Sequence, residues 1–118
     1  MNITLDLPWP PSANSYWRRN GGRYFISKRG QDYREYVTKA CYIYQGLFDS
    51  TMRLALSINA YPPDKRKRDL YNLAKGVLDS LQHANVFPDD NQIDKLTIER
   101  MPFYDGKIIV SIDIIQGV

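Results

Sequence analysis

Side chains able to grip a polyanion or a metal are concentrated in Lys65-Arg66-Lys67-Arg68-Asp69-Leu70-Tyr71-Asn72, followed by Lys75, Asp79 and the pair Asp89-Asp90. Four successive cations attract a polyanion, and the carboxylate directly after them could hold a divalent cation against a phosphate. Asp69 has a second reading, as the N-cap of a helix, accepting a backbone N–H. With either reading, a helix N-terminus beside the basic run is an anion-attracting corner. Asp89 and Asp90 favour the metal, because clustered carboxylates repel one another unless a cation neutralises them. Adjacent acids on a loop could equally be solvated decoration. Lys75 and Asp79, four residues apart, could form a helix-face pair in the weaker orientation. Alternatively, Lys75 points into the site and stabilises charge on a phosphate.

Charge is distributed to match. The net charge is only +3, yet ten of the sixteen Lys and Arg fall in two places. One is the Lys65 to Arg68 run. The other comprises Arg18, Arg19, Arg23, Lys28, Arg29 and Arg34, with Asp32 and Glu35 the only acids among or just after it. Two basic clusters flanking a carboxylate group raise the nucleic-acid reading above that of a solvated loop.

The elements that must position these residues follow from hydrophobic periodicity. Ile3, Leu5 and Leu7 alternate with polar residues as a strand, ended by Pro8-Trp9-Pro10-Pro11. After a polar loop, Tyr16-Trp17-Arg18 and Arg23-Tyr24-Phe25-Ile26 bracket Asn20-Gly21-Gly22, a tight-turn signal that predicts a small hairpin. Ser27 is the expected N-cap of a first helix whose apolar and aromatic face is Tyr33, Val37, Ala40, Cys41, Tyr44 and Phe48. Leu54, Leu56, Ile58 and Ala60 mark a second strand, stopped by Pro62-Pro63. The second helix starts near Asp69, with Leu70, Leu73, Val77 and Leu81 inward and Asn72, Lys75 and Asp79 together on another face. Leu96 and Ile98, then Ile108, Val110, Ile112 and Ile114, predict two strands forming a closing hairpin around Asp105-Gly106. The order β, hairpin, α, β, α, β, β predicts an α+β domain spanning residues 1–118, a mixed sheet with two main helices gathered on one face.

The composition is that of a globular domain, 43% hydrophobic and 25% charged over 118 residues. No apolar run approaches the roughly 20 residues of a membrane span, and the first residues lack the pattern of a secretory signal. Cys41, the one cysteine, falls in a helical apolar pattern as a core residue. A cytoplasmic, reduced setting is expected, with no membrane partner.

Taken together these motifs resemble the RusA-type Holliday junction resolvases, endonucleases of bacteria, phages and prophages that cut four-way DNA junctions. Leu7-Pro8-Trp9-Pro10-Pro11-Ser12-Ala13-Asn14 is similar to the family's opening motif, and Pro63-Asp64-Lys65-Arg66-Lys67-Arg68-Asp69-Leu70 to its basic loop. Asn72, Lys75, Asp79, Leu81 and Asp89-Asp90 fall in register with its helix and following loop. The resemblance implies a homodimer that binds four-way junction DNA and makes paired symmetric nicks, one per active site, in recombination and repair. It implies Mg2+, with Mn2+ as a plausible substitute, held by Asp69 and Asp90 with Asp89 beside them, and Lys75 as a further catalytic residue beside Asp69 and Asp90. DNA contacts are expected from Ser12, Asn14, Ser15, Arg18, Arg19, Lys65, Arg66, Lys67, Arg68 and Asn72. Trp9, Tyr16 and Trp17 either stack on bases or pack the hairpin.

One position departs from the family pattern: D-L-D-N becomes Asp69-Leu70-Tyr71-Asn72, so Tyr71 occupies an expected ligand position. A phenol is neutral at pH 7 and a poor Mg2+ ligand. Either Asp69 and Asp90, with Asp89 or Asp79, suffice at reduced activity, or the protein binds junctions without cutting them. Two further readings are a P-D…D-x-K nuclease using Pro88-Asp89 and Asp105-Gly106-Lys107, and a protein whose basic loop is only solubilising. The expected turn at Asp105-Gly106 points the former's groups away from Asp89. His83 is too isolated for a His-based site.

Overall fold

A computed structural model describes residues 2–115. The elements are β1 (Asn2–Pro8), α1 (Ala13–Tyr16), β2 (Trp17–Asn20), β3 (Arg23–Ile26), α2 (Lys28–Ala40), β4 (Leu54–Tyr61), α3 (Leu70–His83), β5 (Ile93–Arg100) and β6 (Lys107–Ile114). β1, β6, β4 and β5 form one sheet in that spatial order, with β4 and β5 parallel and the other neighbours antiparallel.

Side chains alternate across a strand, so one face of this sheet gathers the apolar set. Ile3, Leu5 and Leu7 of β1, Leu54, Leu56, Ile58 and Ala60 of β4, and Ile108, Val110 and Ile112 of β6 are all buried in a single core. Tyr33 and Val37 of α2 and Leu73, Val77 and Leu81 of α3 join them. The architecture is therefore the expected α+β fold with a mixed sheet. Cys41 is fully buried, as its place in the pattern implied, and burial pushes its thiol up to about 11.

The hairpin forms where expected. Asn20 pairs with Arg23 across Gly21 (φ 60°) and Gly22 (φ 84°), both left-handed, as a two-residue type I′ turn demands. Ser27 caps α2, its hydroxyl accepting from Gly30 N at 3.1 Å. The segment before the hairpin is more ordered than a polar loop: Ala13–Tyr16 makes a single helical turn that ends in the fully buried Tyr16.

Two expectations are corrected. The first helix does not run on to Phe48. It stops at Ala40, followed by a 3-10 turn at Tyr42–Tyr44. Gly46, at φ 73°, turns the chain so that Gly46 N donates to Asn85 O and Phe48 N to Val86 O. Phe48 still reaches the core, from a loop that clasps the end of α3. The second correction concerns the closing hairpin. β5 and β6 lie on opposite sides of β4, because β5 returns through α3 and so enters parallel to β4. Residues 101–106 then cross the end of β4, with Met101 N donating to Ala60 O and Asp105 N to Pro62 O. Gly106 does turn the chain (φ 70°), but into a crossing connection.

Candidate functional site

The proline-rich segment after β1, the start of α2 and the basic loop before α3 converge on a cleft of about 550 Å3. Trp9, Ser12 and Ser15 face Arg66, Lys67, Arg68, Asp69 and Asn72 across it, and Arg29 of α2 completes the wall. Arg29 can stand there because Gly30 lets α2 approach closely: a Cβ on Gly30 would lie 2.4 Å from Tyr16 O. The cleft thus joins residues more than fifty positions apart in sequence, with four cations and serine hydroxyls around one carboxylate, Asp69.

The basic run is a folded loop rather than four equivalent free cations. Asp64 ties it together: Arg68 reaches its carboxylate at 2.8 Å and Arg66 at 3.1 Å. Hydrogen bonds from Arg68, then Arg66, hold the Asp64 carboxyl well below the usual carboxylate range. Arg68 also lies over the Trp9 ring, 5.7 Å from its centroid, and accepts at its carbonyl from Arg100. Among the described residues Lys65 and Lys67 enter no ion pair. Lys65, unlike its three neighbours, is not part of the cleft wall.

Asp69 is the N-cap of α3, one carboxylate oxygen accepting from Tyr71 N at 2.9 Å. The capping reading is therefore realised, and it presents the carboxylate at the cleft where the helix dipole and the cations favour a bound anion. Tyr71, next in line, is 71% exposed.

Asn72, Lys75 and Asp79 share a face of α3 as their spacing implied, but the face serves three purposes. Asn72 lines the first cleft, and Lys75 lines a second, between α3 and the β2–β3 hairpin, with Asn14, Arg18 and Arg19. Asp79 turns instead to a half-buried cluster around the Tyr16 hydroxyl. The Tyr16 hydroxyl donates to Asp79 at 2.5 Å and contacts Ser80 Oγ at 2.9 Å. Arg34 of α2 donates to Asp79 at 2.8 and 3.2 Å and to the Tyr16 hydroxyl at 3.2 Å. Burial, then the bond to Asp79, pushes the Tyr16 phenol up to about 12. Of the three aromatics open to two readings, Tyr16 is packing.

A family model described as Endodeoxyribonuclease RusA matches residues 8–115. The chain belongs to the RusA family. Among its relatives, the crossover junction endodeoxyribonuclease of Enterobacteria phage HK97 is 45% identical over 94 residues, 80% of this chain and 78% of the relative. That of Shigella sonnei is 40% identical over 105 residues, covering 87% and 86%. That of Enterobacteria phage 82 is 40% identical over 104 residues, covering 86% and 85%.

In this RusA-family chain the acids expected to share a metal do not meet. Asp69 stands at the start of α3, whereas Asp90 follows its end, its N–H donating to Gln82 Oε1. A helix rises about 1.5 Å per residue, which separates the two by roughly 20 Å. Asp89 caps a 3-10 turn at Asp90–Gln92 through Asn91 N, with Gln92 bonding back to Asp89 N and onward to Asp49 O and Met52 O. Among the described residues no group of three or more His, Cys, Asp or Glu could hold a metal ion. The donor set of one chain therefore does not fit Mg2+. The P-D…D-x-K arrangement fares no better: Lys107 pairs with Asp105 and Asp6 and lies opposite Tyr61, at the far end of β4 from Leu54, where β5 begins just after Asp89.

Three residues at these sites were not singled out from sequence. Arg29 and Arg34 belong to the first basic cluster, which was a signal; Tyr24 had only its place on the hairpin. Among the described residues no helix is long and apolar enough to cross a membrane.

Proposed function

We propose that this chain is a Mg2+-dependent endonuclease that binds four-way DNA junctions and resolves them by paired symmetric nicks. The observation that carries the reading is the first cleft, which gathers Ser12, Ser15, Arg66, Lys67, Arg68, Asn72 and Asp69 from separate parts of a RusA-family chain. A phosphodiester there meets cations, hydroxyl donors and the N-terminus of α3 at once. Lys65, on the same loop, and Asn14, Arg18 and Arg19, at the neighbouring cleft, extend the DNA surface.

The working unit is a homodimer, whose two-fold axis matches that of the junction. Separation of Asp69 from Asp90 within one chain supports this, since both can serve one site only if they come from different chains. The edge strand β5 leaves room for a second copy: Leu96, paired with the buried Leu56, is itself 43% exposed. In such an assembly Asp69 of one protomer and Asp89 and Asp90 of its partner would hold Mg2+, or Mn2+ in its place, which neutralises phosphate charge and lowers the pKa of bound water. Lys75, with its charge unpaired among the described residues, stands near the same end of α3 as Asp69 and is assigned to catalysis.

A second reading, junction binding without cutting, is supported by Tyr71, which places an exposed phenol where the family pattern has an acid. Both readings place the protein in a bacterial cytoplasm, with a phage or prophage source consistent with the phage relatives. The test is a synthetic four-way junction with Mg2+ or Mn2+, treated with wild type, Asp69→Asn and Tyr71→Asp. Paired nicks from wild type that vanish in Asp69→Asn support the nuclease; cutting by Tyr71→Asp alone makes the chain a binder.

A further inference from the structure

The second cleft, about 720 Å3, differs in kind from the first. No carboxylate lines it. Its walls are Asn14 of α1, Trp17, Arg18, Arg19 and Tyr24 of the hairpin, and Lys75 of α3. Among the described residues none of the three cations is in an ion pair. Arg19 and Tyr24 are direct cross-strand partners, and side chains alternate across a strand, so Trp17, Arg19 and Tyr24 stand on one face of the hairpin.

The two aromatics are held in different ways. Trp17 is half-buried, its ring centroid 4.3 Å from that of the immovable Tyr16. Tyr24 is 72% exposed, with the Arg19 guanidinium 5.7 Å from its ring centroid. Tyr16 in turn is clamped by Gly76, where a Cβ would lie 2.9 Å from its ring. The root of the hairpin is thus fixed to α3 while its aromatic face stays open.

Aromatic faces interleaved with unpaired cations are the chemistry of single-stranded nucleic acid, where bases stack on rings and the backbone is held by charge. Paired duplex offers the charge but not the base faces. We infer that this cleft takes an unstacked nucleotide at the branch point, its base against Tyr24 and Trp17, its phosphates on Arg18, Arg19 and Lys75, and its base edge within reach of the Asn14 amide. The inference rests on the junction-DNA reading and gives it a source of selectivity: a junction has unstacked nucleotides to offer and a linear duplex does not.

Gapped DNA separates this inference from the nuclease reading, because no cutting is required. Equilibrium binding of the full chain is measured, without divalent metal, on a linear duplex and on the same duplex carrying a two-nucleotide single-stranded gap. Wild type binds the gapped form about tenfold tighter, the scale of one base stacked on an aromatic ring. Tyr24→Ala abolishes the preference and leaves duplex affinity within about twofold, whereas Tyr24→Phe keeps it. Because Tyr24 is exposed, both variants should melt with wild type, which a thermal scan confirms. No preference in wild type, or an undiminished preference in Tyr24→Ala, overturns the inference. Absence of junction cutting, with the gap preference intact, would sink the nuclease reading alone.

Discussion

The Tyr16 hydroxyl has Asp79, Ser80 and Arg34 around it and no access to solvent, so its removal should cost more than its size suggests. Hydrogen bonds to charged groups are worth about 1.5–3 kcal/mol, and Tyr16→Phe should lose that much in urea denaturation. The pH dependence follows from its raised pKa. Folding favours the neutral phenol, so the contribution is full below the ordinary value near 10 and is lost as pH rises towards about 12. The stability gap between wild type and Tyr16→Phe should therefore close over that range; a constant gap would mean that Tyr16 ionises as an exposed phenol. At Cys41, burial predicts no reaction with a thiol reagent at neutral pH until the protein unfolds. The basic loop yields a sharper contrast. Lys67 has no acidic partner among the described residues, whereas Arg66 is committed to Asp64. Each phosphate contact contributes roughly 0.9 to the salt slope of DNA binding. Lys67→Ala should remove about that much and Arg66→Ala less; equal losses would argue that DNA pulls Arg66 away from Asp64.

Among the secondary-structure elements, glycine acts here by close approach or by turn. Gly30→Ala adds a Cβ against the Tyr16 carbonyl, which is backbone and cannot swing aside. Overpacking of this kind costs about 1–3 kcal/mol, outweighing the better helix propensity of alanine, and would be read as a lowered melting temperature. The hairpin was legible because Asn20-Gly21-Gly22 is a local signal for a turn that Gly21 and Gly22 alone can make cheaply. β1, β4 and α3 were legible for the same local reason, an apolar period of two or of nearly four. What could not be read was pairing. Leu96 and Ile98 alternate as a strand should, but their neighbour is chosen by the α3 crossover, and Asp105-Gly106 turns the chain without making the two flanking strands adjacent. Phe48 matched the helical spacing by coincidence, four residues after Tyr44, while Gly46 had already bent the chain. Likewise the Asp69 corner was visible from its local run of cations, but the far wall at Ser12 and Arg29 is brought up by Tyr16, whose bond to Asp79 spans 63 residues.

In the molecule as a whole, α3, a helix about 20 Å long, keeps Asp69 and Asp90 apart. On the proposed reading, one chain carries the cleft that would take the phosphate, and a second would bring an acid from beyond α3 to it. Sedimentation should accordingly give a dimer at working concentrations, and a monomer throughout would remove the two-fold correspondence with the junction. The most direct test mixes subunits. Asp69→Asn and Asp90→Asn are each expected to be inactive on a four-way junction. If every site draws Asp69 from one protomer and Asp90 from its partner, a mixed dimer of the two variants contains one intact site and one doubly damaged site. Mixing, with subunit exchange verified, should then restore single nicks on otherwise uncut junctions, without paired resolution. A mixture as inactive as its parents, with mixed dimers present and wild type cutting normally, would contradict an active site assembled from two chains.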